Sequence, residues 1–183
     1  MDLIETSRLI LRSLTLDDAL KVEEYASDYD VAKTTLNIPH PYPEGGAREF
    51  ITSILEAERN GKIAIFAITK KEDNSLIGLI NITGTNANRR AEIGYWIGKP
   101  FWGKGYGTEA ARAVIKYGFE ELNHNRIYAL AFTDNPGSWR IMEKSGMKHE
   151  GILRQHVMKD GRPVDLTYYA ILLEEYIGEG AAI

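Results

Sequence analysis

Three closely spaced glycines sit in Trp102-Gly103-Lys104-Gly105-Tyr106-Gly107-Thr108, after a β-rich run and before an apolar-striped helical one. Glycines at this spacing let a chain turn successive N–H groups toward one centre. A helix N-terminus adds unpaired donors and the positive end of a dipole. That combination binds phosphate or pyrophosphate; the plainer alternative is a tight turn that needs positive φ. Two other phosphate loops fail here. Gly98 to Gly105 approaches G-x-x-x-x-G-K-[ST], but Gly105 stands where the magnesium-binding hydroxyl belongs, and Pro100 removes an N–H. G-x-G-x-x-G fails because position 108 is Thr.

Glu92 is the one acid in Ala91-Glu92-Ile93-Gly94-Tyr95-Trp96-Ile97. Burial among apolar and aromatic neighbours raises a carboxyl pKa toward neutrality, which suits a general base. Strand alternation can instead turn such a residue to solvent. His40, His124, His149 and His156 form no i, i+4 pair and no H-E-x-x-H, so no metal site is expected. The absence of cysteine excludes a thiolate nucleophile and Cys-held metals.

The elements that must position these residues follow from periodicity. Leu9 to Leu11 reads as a strand, and Thr15 with Asp18 as a capped helix start. The helix that follows carries Ala19, Leu20, Val22, Tyr25 and Ala26. Pro39, Pro41 and Pro43 force an irregular loop. Helical spacing resumes from Gly45 to Arg59 and stops at Asn60-Gly61. Ile63 to Ile68, Leu76 to Thr83 and Ala91 to Ile97 form an antiparallel meander. Gly107 to Leu122 is the clearest amphipathic helix. Strand Ile127 to Phe132, helix Ser138 to Ser145 and strands Ile152 to Met158 and Leu166 to Leu173 complete the order. The connection from Trp96 through the long helix to Tyr128 is long enough for a parallel crossover. The expectation is one α+β domain over residues 1–183 with a mostly antiparallel sheet.

The chain holds 22 Lys and Arg against 26 Asp and Glu, a formal charge of −4, which disfavours general nucleic-acid binding. No stretch approaches the ~20 apolar residues of a membrane span. Met1 to Arg12 carries Asp2, Glu5, Arg8 and Arg12 and lacks the apolar core of a signal peptide. A cytoplasmic protein with no membrane or nucleic-acid partner is expected. A homo-oligomer is left open by the aromatic-rich segment with Tyr168, Tyr169 and Tyr176.

Trp102-x-x-Gly105-x-Gly107 resembles the acyl-CoA pyrophosphate signature [Q/R]-x-x-G-x-[G/A] of the GNAT N-acetyltransferases, with Trp102 where Gln or Arg is usual. Further blocks resemble the RimJ/RimL-type ribosomal-protein branch. They are Glu5-Thr6-Ser7-Arg8-Leu9-Ile10-Leu11-Arg12, Ala91 to Ile97, Asn135-Pro136-Gly137-Ser138 with Glu143 to Met147, and Gly151-x-Leu153-Arg154 with Gly161, Asp165 and Tyr169. The resemblance implies a sheet of about seven strands, splayed at one parallel pair and flanked by about four helices. It implies acetyl-CoA as cosubstrate and no metal. The backbone of Tyr95, Trp96 and Ile97 would meet pantetheine, and Gly103, Lys104, Gly105, Tyr106, Gly107 and Thr108 the pyrophosphate. Asn135 would bond the pantetheine arm or orient the thioester; as a plain residue it is a turn former before Pro136.

The branch resemblance makes Glu92 the base and Ser138 the acid, directly or through water. On its own, Ser138 reads equally as a helix N-cap. Many members of the family place a tyrosine seven residues after the Asn135 position, where this chain has Met142. Lys104 and Arg112 could meet CoA phosphates, and His40 lies in a loop that lines the acceptor side in the resembling family. The implied reaction is direct acetyl transfer in a ternary complex to a protein N-terminus, of a ribosomal protein by branch. A small amine (polyamine, amino acid or aminoglycoside) is the second acceptor class. A non-catalytic acyl-CoA sensor is the alternative that Met142 keeps open.

Overall fold

A computed structural model describes residues 3–59 and 63–180. Eight strands form one sheet in the order β1-β2-β3-β4-β5-β6-β8-β7. They are β1 Ile4–Glu5, β2 Leu9–Ser13, β3 Ala64–Lys70, β4 Leu76–Thr85, β5 Arg90–Ile97, β6 Arg126–Phe132, β7 Lys148–Lys159 and β8 Arg162–Leu172. The helices are α1 Ala19–Ala26, α2 Tyr29–Ala32, α3 Gly46–Arg59, α4 Tyr106–Glu120, α5 Pro136–Lys144 and α6 Leu173–Gly180. The expected α+β fold, with a mostly antiparallel sheet and one parallel pair, is present. The counts are higher than about seven and four because two-residue β1 and four-residue α2 are too short to leave a periodic signal, and because α6 follows β8 without a break where the sequence pattern reads only a strand. The helix stop at Asn60-Gly61 lies outside the described residues. No helix among the described residues is long and apolar enough to cross a membrane.

Every neighbouring pair is antiparallel except β5 with β6. That parallel pair is registered only at Arg90↔Arg126, Ala91↔Ile127 and Glu92↔Tyr128. β5 continues to Ile97 and β6 to Phe132 without pairing, so the sheet forks beyond Glu92. The β7–β8 hairpin turns at Asp160 and Gly161, both at positive φ, as a two-residue turn matched to strand twist requires. Both strands are longer than their apolar runs suggest. The register shifts within β7, where Gly151 and Gln155 have positive φ, break the alternation that would have marked them.

The core has two halves, one on each face of the sheet. Phe66, Ile68, Ile80, Ile93 and Ile127 bury against Ala110, Ala111, Val114 and Ile115 of α4. Ile65, Ala67 and Leu79 point the other way, onto Val22 and Tyr25 of α1 and Ala47 and Ile51 of α3. Period-two alternation along β3 explains why one strand feeds both halves. On β5 it places Tyr95 with the α4 half and Trp96 with the α1–α3 half.

Gly78 of β4 lies where a Cβ would meet the Trp96 carbonyl oxygen at 2.2 Å. Gly78→Ala must push β4 off β5 beside the fork. It should cost about 1–3 kcal/mol, as overpacking does, seen as a lower urea midpoint with an unchanged m-value. An unchanged midpoint would refute this.

Candidate active site at the sheet fork

The Gly98 N–H donates to the Ile77 carbonyl at 2.8 Å, which fixes the phase of the β4–β5 ladder. Alternation then turns the backbone of Trp96 to β4, and that of Tyr95 and Ile97 to the gap. The expectation that residues 95–97 all face the gap therefore narrows to two of them. Trp102 alters the picture further. Its indole N–H donates to the Ile97 carbonyl at 2.6 Å, closing the turn from β5 into the glycine loop. Ile97 is left with its N–H facing the gap.

Gly103 and Gly105 take φ of +73° and +80°, so the loop uses its glycines for left-handed backbone. Gly105 is the N-cap of α4 and has no side chain to cap it. The first N–H groups of the 15-residue helix, from Tyr106, Gly107 and Thr108, therefore lack an intrahelical acceptor and point outward with the dipole. Such an array suits a diphosphate. Gly107 serves packing instead: a Cβ there would come within 2.6 Å of Ile141 Cδ1 on α5.

The loop is clamped from behind. Glu109 in the first turn of α4 accepts from Thr6 Oγ1 at 2.6 Å, Ser7 Oγ at 3.0 Å, and Arg8 N and Nε at 2.8 and 2.7 Å. Arg8 also donates to the Lys104 carbonyl at 3.0 Å and lies 4.5 Å from the Tyr106 ring centre. Burial raises the Glu109 pKa, but the bonds from Thr6, Arg8 and Ser7 outweigh it and hold the carboxyl below its ordinary value. The Lys104 ammonium lies over Phe101, 5.7 Å from its ring centre, and Lys104 does not line the cleft. Arg112 is turned away too, donating to the Lys144 carbonyl at 3.0 and 2.6 Å.

A cleft of about 1540 Å³ runs through the fork and touches Glu92, Tyr95, Gly105, Thr108, Asn135 and Ser138. Glu92 is partly buried, and burial pushes its carboxyl up, while a hydrogen bond from Tyr128 pulls it partly back. It shares a sheet face with Trp96, opposite the Tyr95 side chain. Ser138 is not the cap of α5: the helix starts at Pro136, and the Asn135 side chain caps it by accepting from Ser138 N at 3.2 Å. The Asn135 amide also donates to the Thr34 carbonyl at 3.3 Å, so both ends of this side chain have protein partners. The Ser138 hydroxyl donates to Tyr95 Oη at 3.2 Å, and Tyr95 Oη donates to the Ser138 carbonyl at 2.9 Å. Burial pushes the Tyr95 phenol far up, so it stays protonated. Met142 is 1% exposed and packs in the core at the edge of the cleft, and its thioether has no proton to donate. His40 is exposed and packs edge-on against Tyr29. Among the described residues no group of His, Asp and Glu could hold a metal.

Residues 8–148 match the acetyltransferase (GNAT) domain family. The chain belongs to the GNAT acetyltransferases. It is similar to the uncharacterized N-acetyltransferase p20 of Bacillus licheniformis, 36% identical over 97% of this chain and 100% of that one. A GNAT acetyltransferase from Bacillus anthracis superposes with a TM-score of 0.85 at 33% identity, over 94% of this chain and 99% of that one. The [ribosomal protein uS5]-alanine N-acetyltransferase of Escherichia coli is 24% identical over 94% of this chain and 92% of its own length. This GNAT protein is thus an N-acetyltransferase, and its relatives include one that modifies a ribosomal protein.

Two features of this GNAT site were not foreseen. Tyr128 pairs in register with Glu92; no local pattern marks it, because a cross-strand neighbour is set by register. The Thr6-Ser7-Arg8 clamp had a signal in the opening block, but its target Glu109 lies a hundred residues away. A depressed carboxyl stabilises the fold above its unfolded pKa of about 4.3 and loses that contribution as pH falls through the folded value. Glu109→Gln should therefore be less stable than wild type at pH 7, with the difference closing toward pH 3. Urea titrations at both pH values check this; a difference constant with pH would refute it.

Proposed function

We propose that the acceptor is the α-amino group of a protein N-terminus, a ribosomal protein by analogy with the relatives, attacking acetyl-CoA directly within the fork. The observation that carries this is the placement of Glu92. A partly buried carboxyl with a raised pKa sits where the parallel pairing stops, on the face turned to α1 and α3. An α-amine near pKa 7.7–8.0 needs only a modest base, whereas a lysine-type amine near 10.4 needs far more. The wall on that face includes Leu36, Ile38, Tyr42, Phe50 and Ile54. Glu49 and Asp134 also line the cleft, but this mostly apolar wall suits a chain carrying one amine beside apolar or neutral groups better than a polycation.

In this reading the loop Gly103 to Gly105 and the first N–H groups of α4 would hold the diphosphate of acetyl-CoA. Tyr95 and the Ile97 N–H would meet the pantetheine arm. The cosubstrate supplies the activated acyl carbon. Glu92 takes the amine proton, directly or through a water. The Ser138 hydroxyl, held by Tyr95 on the other face of β5, would be the donor to the departing thiolate. Its hydroxyl proton would serve the role that Met142, with none to donate, cannot fill.

Free-thiol release with acetyl-CoA and either a serine-initiated peptide or a polyamine tests the acceptor. Release with the peptide and not the polyamine is expected; the reverse selects the small-amine reading. Glu92→Gln should lower kcat about 10²–10⁴-fold, the usual worth of a positioned base, with coenzyme A affinity by calorimetry unchanged. Retained turnover would remove Glu92 from the mechanism. Gly105→Ala places a side chain at φ +80° and should weaken coenzyme A binding at least about tenfold by straining the donor array.

A further inference from the structure

Glu92 and Tyr128 form the last registered pair before the fork, side by side on one sheet face. Strands in a sheet lie about 4.8 Å apart, so the two side chains are cross-strand neighbours, and hydrogen bonding from the phenol opposes the burial that raises the Glu92 pKa. The Tyr128 ring is not free to swing. It stacks on Tyr168 of β8, with ring centres 5.2 Å apart and planes 9° from parallel. Tyr168 in turn carries the Arg126 guanidinium 5.6 Å from its ring centre, and Arg126 is ion-paired with Glu150. A ladder of four side chains across three strands thus ends at the Glu92 carboxylate.

We propose that Tyr128 is the positioning residue for Glu92: its hydroxyl holds the carboxylate in its charged form and aims it into the gap. This rests on the reading of Glu92 as the base. A phenol has one proton to donate. Tyr128 donates it to Glu92, so it is not the acid of the reaction. Burial and the Glu92 charge both push the Tyr128 phenol up, which keeps it a donor at neutral pH. The donated bond favours the ionised carboxylate and opposes the burial that raises its pKa. Tyr128 thereby favours the charged, proton-accepting form of a partly buried base. The charged and titratable groups near the pair are Arg90 on β5, Arg126 with Glu150, Tyr168 on β8, and Glu49 and His156 across the cleft.

The test is the pH dependence of kcat/KM for the peptide at saturating acetyl-CoA in wild type, Tyr128→Phe, Glu92→Gln and the double variant. Phenylalanine keeps the ring stacked on Tyr168, and thermal melts check that the fold stands. Losing the donor raises the Glu92 pKa, so the acid limb of Tyr128→Phe should move to higher pH. The expected shift is about one unit, a roughly tenfold loss on that limb, with the alkaline plateau and the KM for acetyl-CoA within about twofold of wild type. Added to Glu92→Gln, the change should cost nothing further, since the two act as one unit. The proposal is overturned if the acid limb of Tyr128→Phe overlays wild type while Glu92→Gln is inactive, or if activity falls equally at every pH. A Glu92→Gln protein with wild-type turnover overturns the base assignment itself, a different result from either of these.

Discussion

Parallel pairing between β5 and β6 lasts for three residues and then stops, and the chemistry of this protein depends on that interruption. A strand that loses its neighbour presents N–H and C=O groups with no ladder to satisfy them. In most sheets such an edge is blunted or covered. Here it lies inside the molecule, between two core halves, and opens into a cleft that runs through the sheet. The backbone of Tyr95 and the Ile97 N–H are polar groups in need of partners along an extended slot. A linear amide-bearing arm meets that need, as an added strand would. In the proposed reaction the fork would let two substrates approach one point from opposite faces of a single layer.

The remaining structure holds the fork open in a fixed shape. Tyr95 crosses from β5 to Ser138 on α5 and fixes the helix against one arm. Trp102 ties the end of β5 to the start of the glycine loop. Behind that loop, Glu109 gathers three hydroxyl or amide donors and a guanidinium from residues 6–8. Several charge-assisted bonds to one carboxylate are far stronger than one surface ion pair. The opening block therefore acts at a distance from the cleft: it braces the first turn of α4, whose free N–H groups would form the proposed anion site.

Much of this was legible in the sequence, and the parts that were not share a cause. The meander, the long α4 and the glycine loop are local patterns, and local patterns predict them. Glu92 stood out as an acid in an apolar strand, and its raised pKa follows from burial there. What pairs with it did not, because register across a parallel pair is set by the whole crossover and not by either strand. The same holds for Ser138. Its hydroxyl reads as a cap from its neighbours, yet Asn135 takes that task three residues earlier and leaves the serine to Tyr95. Met142, which departs from the usual tyrosine, is buried and yet lines the cleft, and only the packed structure shows both.

The irregular segment between α2 and α3 connects the acceptor wall to the cofactor half, and it does so through weak ties. Thr34 accepts from Asn135 at 3.3 Å, Ile38 from Lys159 at 3.4 Å, and Asp30 in α2, just before the segment, pairs with Lys99 at 2.6 Å. Each is exposed or partly so, and an exposed pair contributes at most about 1 kcal/mol. Its prolines at 39, 41 and 43 limit the shapes the segment can take without bonding it to anything. The loop part of the proposed acceptor wall is thus stiff and held by few hydrogen bonds, with Tyr42 packed on the α1–α3 core half, whereas the glycine loop and the fork are bonded from several sides. A family that keeps one acyl donor and varies the acceptor requires that division of rigidity. It also explains why the cofactor half reads so clearly from residue types and spacing, while the acceptor half has no comparable signature.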